Sequence, residues 1–190
     1  MVNSILLVGV GGQGTILASK LLTTGLMDAG YDVKMSEIHG MSQRGGSVSS
    51  QVRYGDEKVC SPVIEIGGAD VLVSFEQMEA LRWLRYLKPG GAVIVNDFKI
   101  KPMSVVSGKV AYPDDILEEL KSKAKVTVVD AAGKAAELGN SKVMNVILLG
   151  ATIKSMALDK IDWRKILTDN LKPALLDLNL KALEVGMALA

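Results

Sequence analysis

Apolar residues arrive in two rhythms along this chain, one suited to strands and one to helices. Ile5 to Val8 are continuously apolar, as in a strand buried on both faces. After a burst of glycines, Ile16, Leu17, Leu21 and Leu22 recur at helical spacing, with Lys20 the polar exception. Ala29-Gly30 closes that helix, and Tyr31 to Glu37 predicts a second strand. Together they predict a βαβ unit with a right-handed crossover. Residues 38–47 (IHGMSQRGGS) then carry no helical pattern, and Val48 to Tyr54 alternates apolar with polar. Gly55-Asp56 reads as a turn, and Lys58 to Ile64 predicts another short strand with Pro62 at its edge. An antiparallel excursion therefore stands where a second crossover helix is expected, which makes the sheet mixed.

The α/β rhythm resumes at Ala69 to Phe75, a strand, followed by a helix over Glu76 to Leu87. Lys88-Pro89-Gly90-Gly91 ends it before a strand at Ala92 to Val95. Lys109 to Tyr112 predicts a strand, and Pro113-Asp114-Asp115 starts a helix through Lys121. Val126 to Val129 predicts a strand and Ala131 to Leu138 a helix. Helices over Lys142 to Met156, Asp162 to Asn170, and Pro173 to about Met187 finish the chain. The expected architecture is α/β: three α/β/α layers, a Rossmann-like, mostly parallel mixed sheet, and C-terminal helices. Residues 1–190 read as one domain. Leu171, Ala174, Leu175, Leu178 and Leu183 form an apolar stripe flanked by Leu176 and Leu180. It is expected to pack on the sheet, with any remainder free for a subunit contact.

Composition narrows the chemistry. The chain has 190 residues, enough for a substantial core, and 48% are hydrophobic. A net charge of +1 gives no field that would draw nucleic acid or an acidic membrane. Aromatics at 4% argue against a base-stacking platform. One cysteine, Cys60, and one histidine, His39, leave no thiolate cluster or multi-histidine metal site to be built within the chain. No run approaches the ~20 apolar residues of a membrane span, and the N-terminus lacks the pattern of a secretion signal. A cytoplasmic location is expected.

The first glycine cluster is the strongest chemical signal. Gly9, Gly11 and Gly14 stand at G-x-G-x-x-G spacing, with Gly12 added, between a predicted strand and a predicted helix. That order points backbone N–H groups and a helix N-terminus at an anion. Packing of strand against helix is the alternative use of the same glycines. Glu37, at the end of the second strand, stands where an acidic residue would meet a ribose.

The stretch Glu37 to Ser47 (EIHGMSQRGGS) is the most distinctive. Arg44 beside Gly45 and Gly46 offers a guanidinium fork next to unencumbered backbone, suited to a phosphate or carboxylate. Gln43 and Ser47 add neutral hydrogen-bonding groups. If both glycine turns lie at the carboxyl ends of strands, they share one crevice. A polar surface loop, with Arg44 paired to Glu37, is the plainer reading. His39 reads as a hydrogen-bonded loop residue and Cys60 as a buried, inert thiol. No catalytic constellation and no metal set is expected.

Four segments carry a resemblance: GVGGQG (9–14), EIHGMSQRGGSVSSQVRYG (37–55), the ADVLVSFE strand and the N-x-x-L-L-G helix from Asn145 to Gly150. Together they resemble the gamma subunit or domain of 2-oxoacid:ferredoxin oxidoreductases. Within that family the chain is most similar to the small beta subunits of indolepyruvate ferredoxin oxidoreductases. The resemblance implies a supporting subunit, inactive alone, of an enzyme that decarboxylates a 2-oxoacid and passes its acyl group to coenzyme A. Thiamine diphosphate and 4Fe–4S clusters would sit in a large partner subunit, and ferredoxin would be reached through the complex. Gly9, Gly11, Gly12 and Gly14 with Arg44 would then meet a coenzyme A phosphate or a partner carboxylate, oriented by Gln13 and Ser47. A gamma subunit serving pyruvate, 2-oxoisovalerate or 2-oxoglutarate is a neighbouring reading. A stand-alone dinucleotide-binding protein is one of another class.

Overall fold

The computed structural model describes residues 2–40 and 45–190. Gln43 and Arg44, both named above, lie outside the described residues. The chain runs β1 (Val2–Val10), α1 (Thr15–Asp28), β2 (Asp32–His39), β3 (Ser47–Gly55), β4 (Ala69–Ser74), α2 (Gln77–Trp83) and β5 (Leu87–Asn96). It continues through α3 (Met103–Val106), α4 (Ile116–Lys123), β6 (Lys125–Val129), α5 (Ala131–Glu137), α6 (Met144–Ser155), α7 (Trp163–Asn170) and α8 (Pro173–Ala188).

Six strands form one sheet in the order β2-β3-β1-β4-β5-β6. β3 is antiparallel to both of its neighbours, β2 and β1, while β1, β4, β5 and β6 pair in parallel. The expected mixed, mostly parallel sheet is therefore present. One part of the expectation is corrected: β1 and β2 point the same way but do not touch, because β3 returns between them.

Strand pleating sends alternate side chains to opposite faces, and both faces are apolar. Ile5, Leu7, Val52, Val73 and Ile94 join α1, α5, α6 and α7 in one core. Leu6, Val8, Leu72, Val93 and Val95 meet Ala80 of α2 and Ile116 and Leu120 of α4 in the other. This is the three-layer α/β/α arrangement.

The helix expected over Glu76 to Leu87 is shorter, α2 ending at Trp83, and Lys88 to Gly91 already belongs to β5. Other local expectations fail for physical reasons. Lys58 to Ile64 forms no strand, because side chains take its amides: Val59 N donates to Asp32 Oδ2 at 2.6 Å and Ile64 N to Gln51 Oε1 at 2.6 Å. Cys60 is consequently exposed rather than buried. Lys109 to Tyr112 is no strand either, since the Lys109 and Val110 amides turn back to Ser104 O. The C-terminal stripe packs chiefly on α6, with Leu180 and Leu183 buried, rather than on the sheet; Leu175 stays 44% exposed.

Candidate functional site

Both glycine turns sit at one edge of the sheet. β1 ends at Val10 opposite Ser47, where β3 begins, so the turn after β1 and the loop entering β3 are neighbours. They are stitched together: Gly11 N donates to Gly46 O at 2.8 Å, and Gly45 N donates to Gly11 O at 3.2 Å. The expected convergence is real, but as one fused surface, not two walls of a crevice. The Gly11 and Gly45 amides are thereby consumed and cannot meet an anion.

Gln13 is corrected in the same way. Its Oε1 accepts from Val10 N at 2.7 Å, and its Nε2 donates to Phe75 O at 2.9 Å. Its amide closes the turn and ties the end of β1 to the end of β4. It is not free to orient a ligand. Gly9 is also a packing residue, since a Cβ there would lie 2.9 Å from both Gln13 Oε1 and Phe75 Cβ.

What remains for a ligand is narrower. Gly12 and Gly14 have φ of +104° and +82°, a backbone region that favours glycine. Gly12 faces open space, and Gly14 leaves room for Asn145 of α6, whose Nδ2 donates to Gly14 O at 3.3 Å. α1 starts here with no side-chain cap and no acidic residue in its first turn. Among the described residues, no acceptor takes the amides of Gly12, Gly14, Thr15 or Ile16. These donors and the positive end of a 14-residue helix form the anion-attracting part of the edge.

A cleft of about 380 Å³ opens beside the turn, lined by Gly11, Gly12, Thr15, Ile16, His39 and Val48. Glu37 is not part of that lining. Its carboxylate accepts from Ser19 Oγ on α1 at 3.4 Å, a turn beyond the helix start, so it does not stand where the expected ribose contact would need it. Ser47 donates to Glu79 Oε2 at 2.5 Å and accepts from Trp83 Nε1 at 3.3 Å, both on the α2 side. Its hydroxyl pins β3 to α2 and does not face the α1 N-terminus.

Two buried carboxylates at this edge escaped the sequence reading. Glu76 caps α2 by accepting from Glu79 N at 2.9 Å, and holds the connection after β5 through Ile100 N at 3.1 Å and the Tyr112 hydroxyl at 2.5 Å. Glu79 accepts from Arg82 Nε at 3.1 Å as well as from Ser47. The signal was the spacing E-x-x-E just after a strand, a helix start. Both act as structural anchors for the segments framing the turn.

Two tyrosines, Tyr112 in this frame and Tyr54 at the far end of β3, give the fold a pH limit. Burial pushes the Tyr54 hydroxyl up to about 12. Burial, then the hydrogen bond to Glu76, raises Tyr112 above its ordinary value too. Below pH ~10 both groups are neutral folded or unfolded and their stabilisation is complete; above it the unfolded chain ionises first and stability falls. Tyr112→Phe is expected to lessen the alkaline loss of the urea midpoint between about pH 9 and 11. An unchanged slope would contradict the assignment.

The chain matches the family model described as pyruvate ferredoxin/flavodoxin oxidoreductase over residues 4–189. It is 40% identical over 195 residues to indolepyruvate oxidoreductase subunit IorB of Pyrococcus horikoshii, covering 98% of this chain and 95% of that protein. It is 31% identical over 180 residues to the pyruvate/ketoisovalerate oxidoreductases common subunit gamma of Thermococcus kodakarensis, covering 93% and 90%. In fold it resembles the gamma subunit of a keto/oxoacid ferredoxin oxidoreductase from Geobacter sulfurreducens, with TM-score 0.75 at 23% identity over 99% of this chain and 95% of that one. The 2-oxoglutarate:ferredoxin oxidoreductase of Magnetococcus marinus, solved with 2-oxoglutarate, coenzyme A and succinyl-CoA, gives TM-score 0.77 at 23% identity; all of this chain overlays 31% of that one. Matched along nearly its whole length, the chain belongs to the pyruvate ferredoxin/flavodoxin oxidoreductase family as a gamma-type subunit.

Proposed function

We propose that this chain is the small subunit of a coenzyme A-acylating indolepyruvate, or arylpyruvate, ferredoxin oxidoreductase. The observation that carries the reading is near-full-length identity of 40% to an indolepyruvate oxidoreductase subunit, against 31% to a gamma subunit serving pyruvate and ketoisovalerate. Thiamine diphosphate and the 4Fe–4S clusters belong to a large partner subunit. One cysteine in 190 residues supports that division, because a cluster needs several thiolates. The complex works in the cytoplasm and delivers electrons to ferredoxin, and this chain takes part as one domain.

The chain's own contribution is a docking edge for an anion. Gly12, Gly14 and Thr15 supply amide hydrogens, and Arg44 supplies a guanidinium to a coenzyme A phosphate. Gly11, Gly45, Gly46 and Gln13 hold the two turns in register. One structure of similar fold, solved with coenzyme A, makes this anion the natural candidate.

Reconstitution tests the assignment. Arylpyruvate- and coenzyme A-dependent reduction of ferredoxin is expected only when this chain and its large partner are combined. Arg44→Ala is expected to raise the KM for coenzyme A about tenfold or more, the scale of a charge-assisted hydrogen bond, while assembly persists. Turnover by the isolated chain would overturn the proposal. So would tight NADH binding, which points to a stand-alone dinucleotide protein.

A further inference from the structure

The connection after β5 holds apolar side chains out in water. Met103 is 78% exposed, Val106 65% and Val110 54%, all on one loop. That loop is hydrogen-bonded throughout. The amides of Val105 and Val106 donate to Pro102 O, Ser107 N donates to Met103 O, and Lys109 N and Val110 N turn back to Ser104 O. The return sets Val110 beside the α3 turn that carries Met103 and Val106. Its base is clamped to the core. Glu76, itself buried, accepts from Ile100 N at 3.1 Å on one limb and from the Tyr112 hydroxyl at 2.5 Å on the other. Apolar groups held in water on a fixed support add nothing to the stability of the isolated chain; grouped like this, they mark a contact surface.

Charge and position select what covers it. From Phe98 to Tyr112 the chain carries Lys99, Lys101 and Lys109 and no acidic residue. Lys99 lies over the Tyr112 ring at 5.5 Å, whereas Lys101 and Lys109 form no ion pair among the described residues. Asp97, at the base, is engaged by Gln77 Nε2 at 2.6 Å. A second copy is a poor match, because a two-fold contact centred on this loop sets lysines against lysines. A membrane is a poor match too, because α3 has only four residues and cannot lay a long apolar face on lipid. An apolar socket with carboxylates on its rim satisfies both features. The loop also adjoins the glycine turn. Phe98 O accepts from Gln77 N at 3.0 Å at the start of α2, and Phe98 lines the same hollow as Gly12 and Gly14. A body seated on this loop therefore reaches the glycine turn as well.

We infer that this loop is a docking knob for the large partner subunit. Met103, Val106 and Val110 enter an apolar socket on that subunit, and Lys101 and Lys109 meet carboxylates at its rim. The inference rests on the reading of the chain as the small subunit of such a complex, and it is separate from the anion donors of the glycine turn. The flexible thioether of Met103 suits an irregular socket. The lysines act mainly on the rate and the salt dependence of association.

The test is the affinity of the full chain, carrying a fluorophore on Cys60, for the purified large subunit. Cys60 is exposed and follows Val59, whose amide is tied to Asp32 at the start of β2, so the label sits at the opposite end of the sheet. Met103→Asp combined with Val106→Asp is expected to weaken binding at least about thirtyfold, the scale of an interface hot spot, with the melting temperature unchanged. Lys101→Glu combined with Lys109→Glu is expected to weaken binding at low salt and to abolish the fall in affinity that salt causes in the parent. Met27→Asp, at an exposed apolar position near the far end of α1, should bind as the parent does. If the Met103→Asp, Val106→Asp chain binds the large subunit as tightly as the parent, the docking inference falls while the small-subunit reading stands. It falls equally if the loop drives self-association, seen as a parent dimer in sedimentation that the double variant disperses, or adsorption to phosphatidylglycerol vesicles that the variant loses. A parent chain with no affinity for the large subunit overturns both.

Discussion

Gly186→Ala is expected to destabilise the chain by about 3 kcal/mol, although alanine is the better helix former by about 1 kcal/mol. α6 and α8 cross with their backbones in contact. A Cβ on Gly186 would fall 1.9 Å from Ile147 O and 2.7 Å from Ile147 C, and one on Gly150 would fall 2.4 Å from Leu183 O. Backbone atoms in a helix cannot step aside as a side-chain tip can, so the methyl group must push α8 outward. That movement would loosen Leu180 and Leu183, both buried in the core that α6 shares with the sheet. At about 2–4 °C per kcal/mol for a chain of this size, the melting temperature should drop by roughly 10 °C. A melting temperature equal to or above that of the parent would refute the close crossing. The result also bears on the N-x-x-L-L-G segment. Its first residue, Asn145, supports the glycine turn, and its last, Gly150, admits α8. One helix thus both braces the glycine turn and admits α8.

Much of the fold could be read from the chain because local pattern and tertiary role agree there. Ile5 to Val8 is apolar without interruption, and it is a central strand covered on both faces. The strand–glycine–helix order led correctly to α1. Where reading failed, side chains replaced the backbone ladder. Val59 and Ile64 are buried, yet Asp32 and Gln51 satisfy their amides, so a short apolar run without a neighbouring strand mimicked one. The position of β3 was also invisible locally. VSSQVRY alternates equally well at an edge or between two strands, and only its pairing with both β1 and β2 decides.

The site was legible at the level of which segments meet, and less so atom by atom. Spacing put glycines at the end of β1 and near the start of β3, and the two do touch. Spacing could not say which amides point outward. Gly11 and Gly45 turn toward each other's segments, whereas Gly12 and Gly14 take positive φ and leave their N–H groups without an acceptor among the described residues. Nor could the sequence separate a glutamine that binds from one that braces. Both uses need the same amide, and the choice depends on Phe75, 62 residues away.

Gln13→Ala decides between those uses. A ligand-orienting glutamine would cost affinity and leave stability alone. The geometry points the other way. Without the amide, Val10 N loses its 2.7 Å acceptor at the end of a buried strand. Phe75 O loses its 2.9 Å donor and keeps only Asn96 Nδ2 at 3.2 Å. With one buried donor unsatisfied and one acceptor weakened, unfolding in urea should require about 2 kcal/mol less than in the parent, with or without an anion present. Gln13→Glu retains the acceptor for Val10 N but sets a carboxylate oxygen against the Phe75 carbonyl, so it should recover none of the lost stability at neutral pH. The Gly11–Gly46 and Gly45–Gly11 bonds do not depend on Gln13, and they should keep the two turns joined in both variants. Weaker anion binding would then follow from a displaced Gly12–Gly14 segment. A Gln13→Ala chain as stable as the parent would return the glutamine to the ligand.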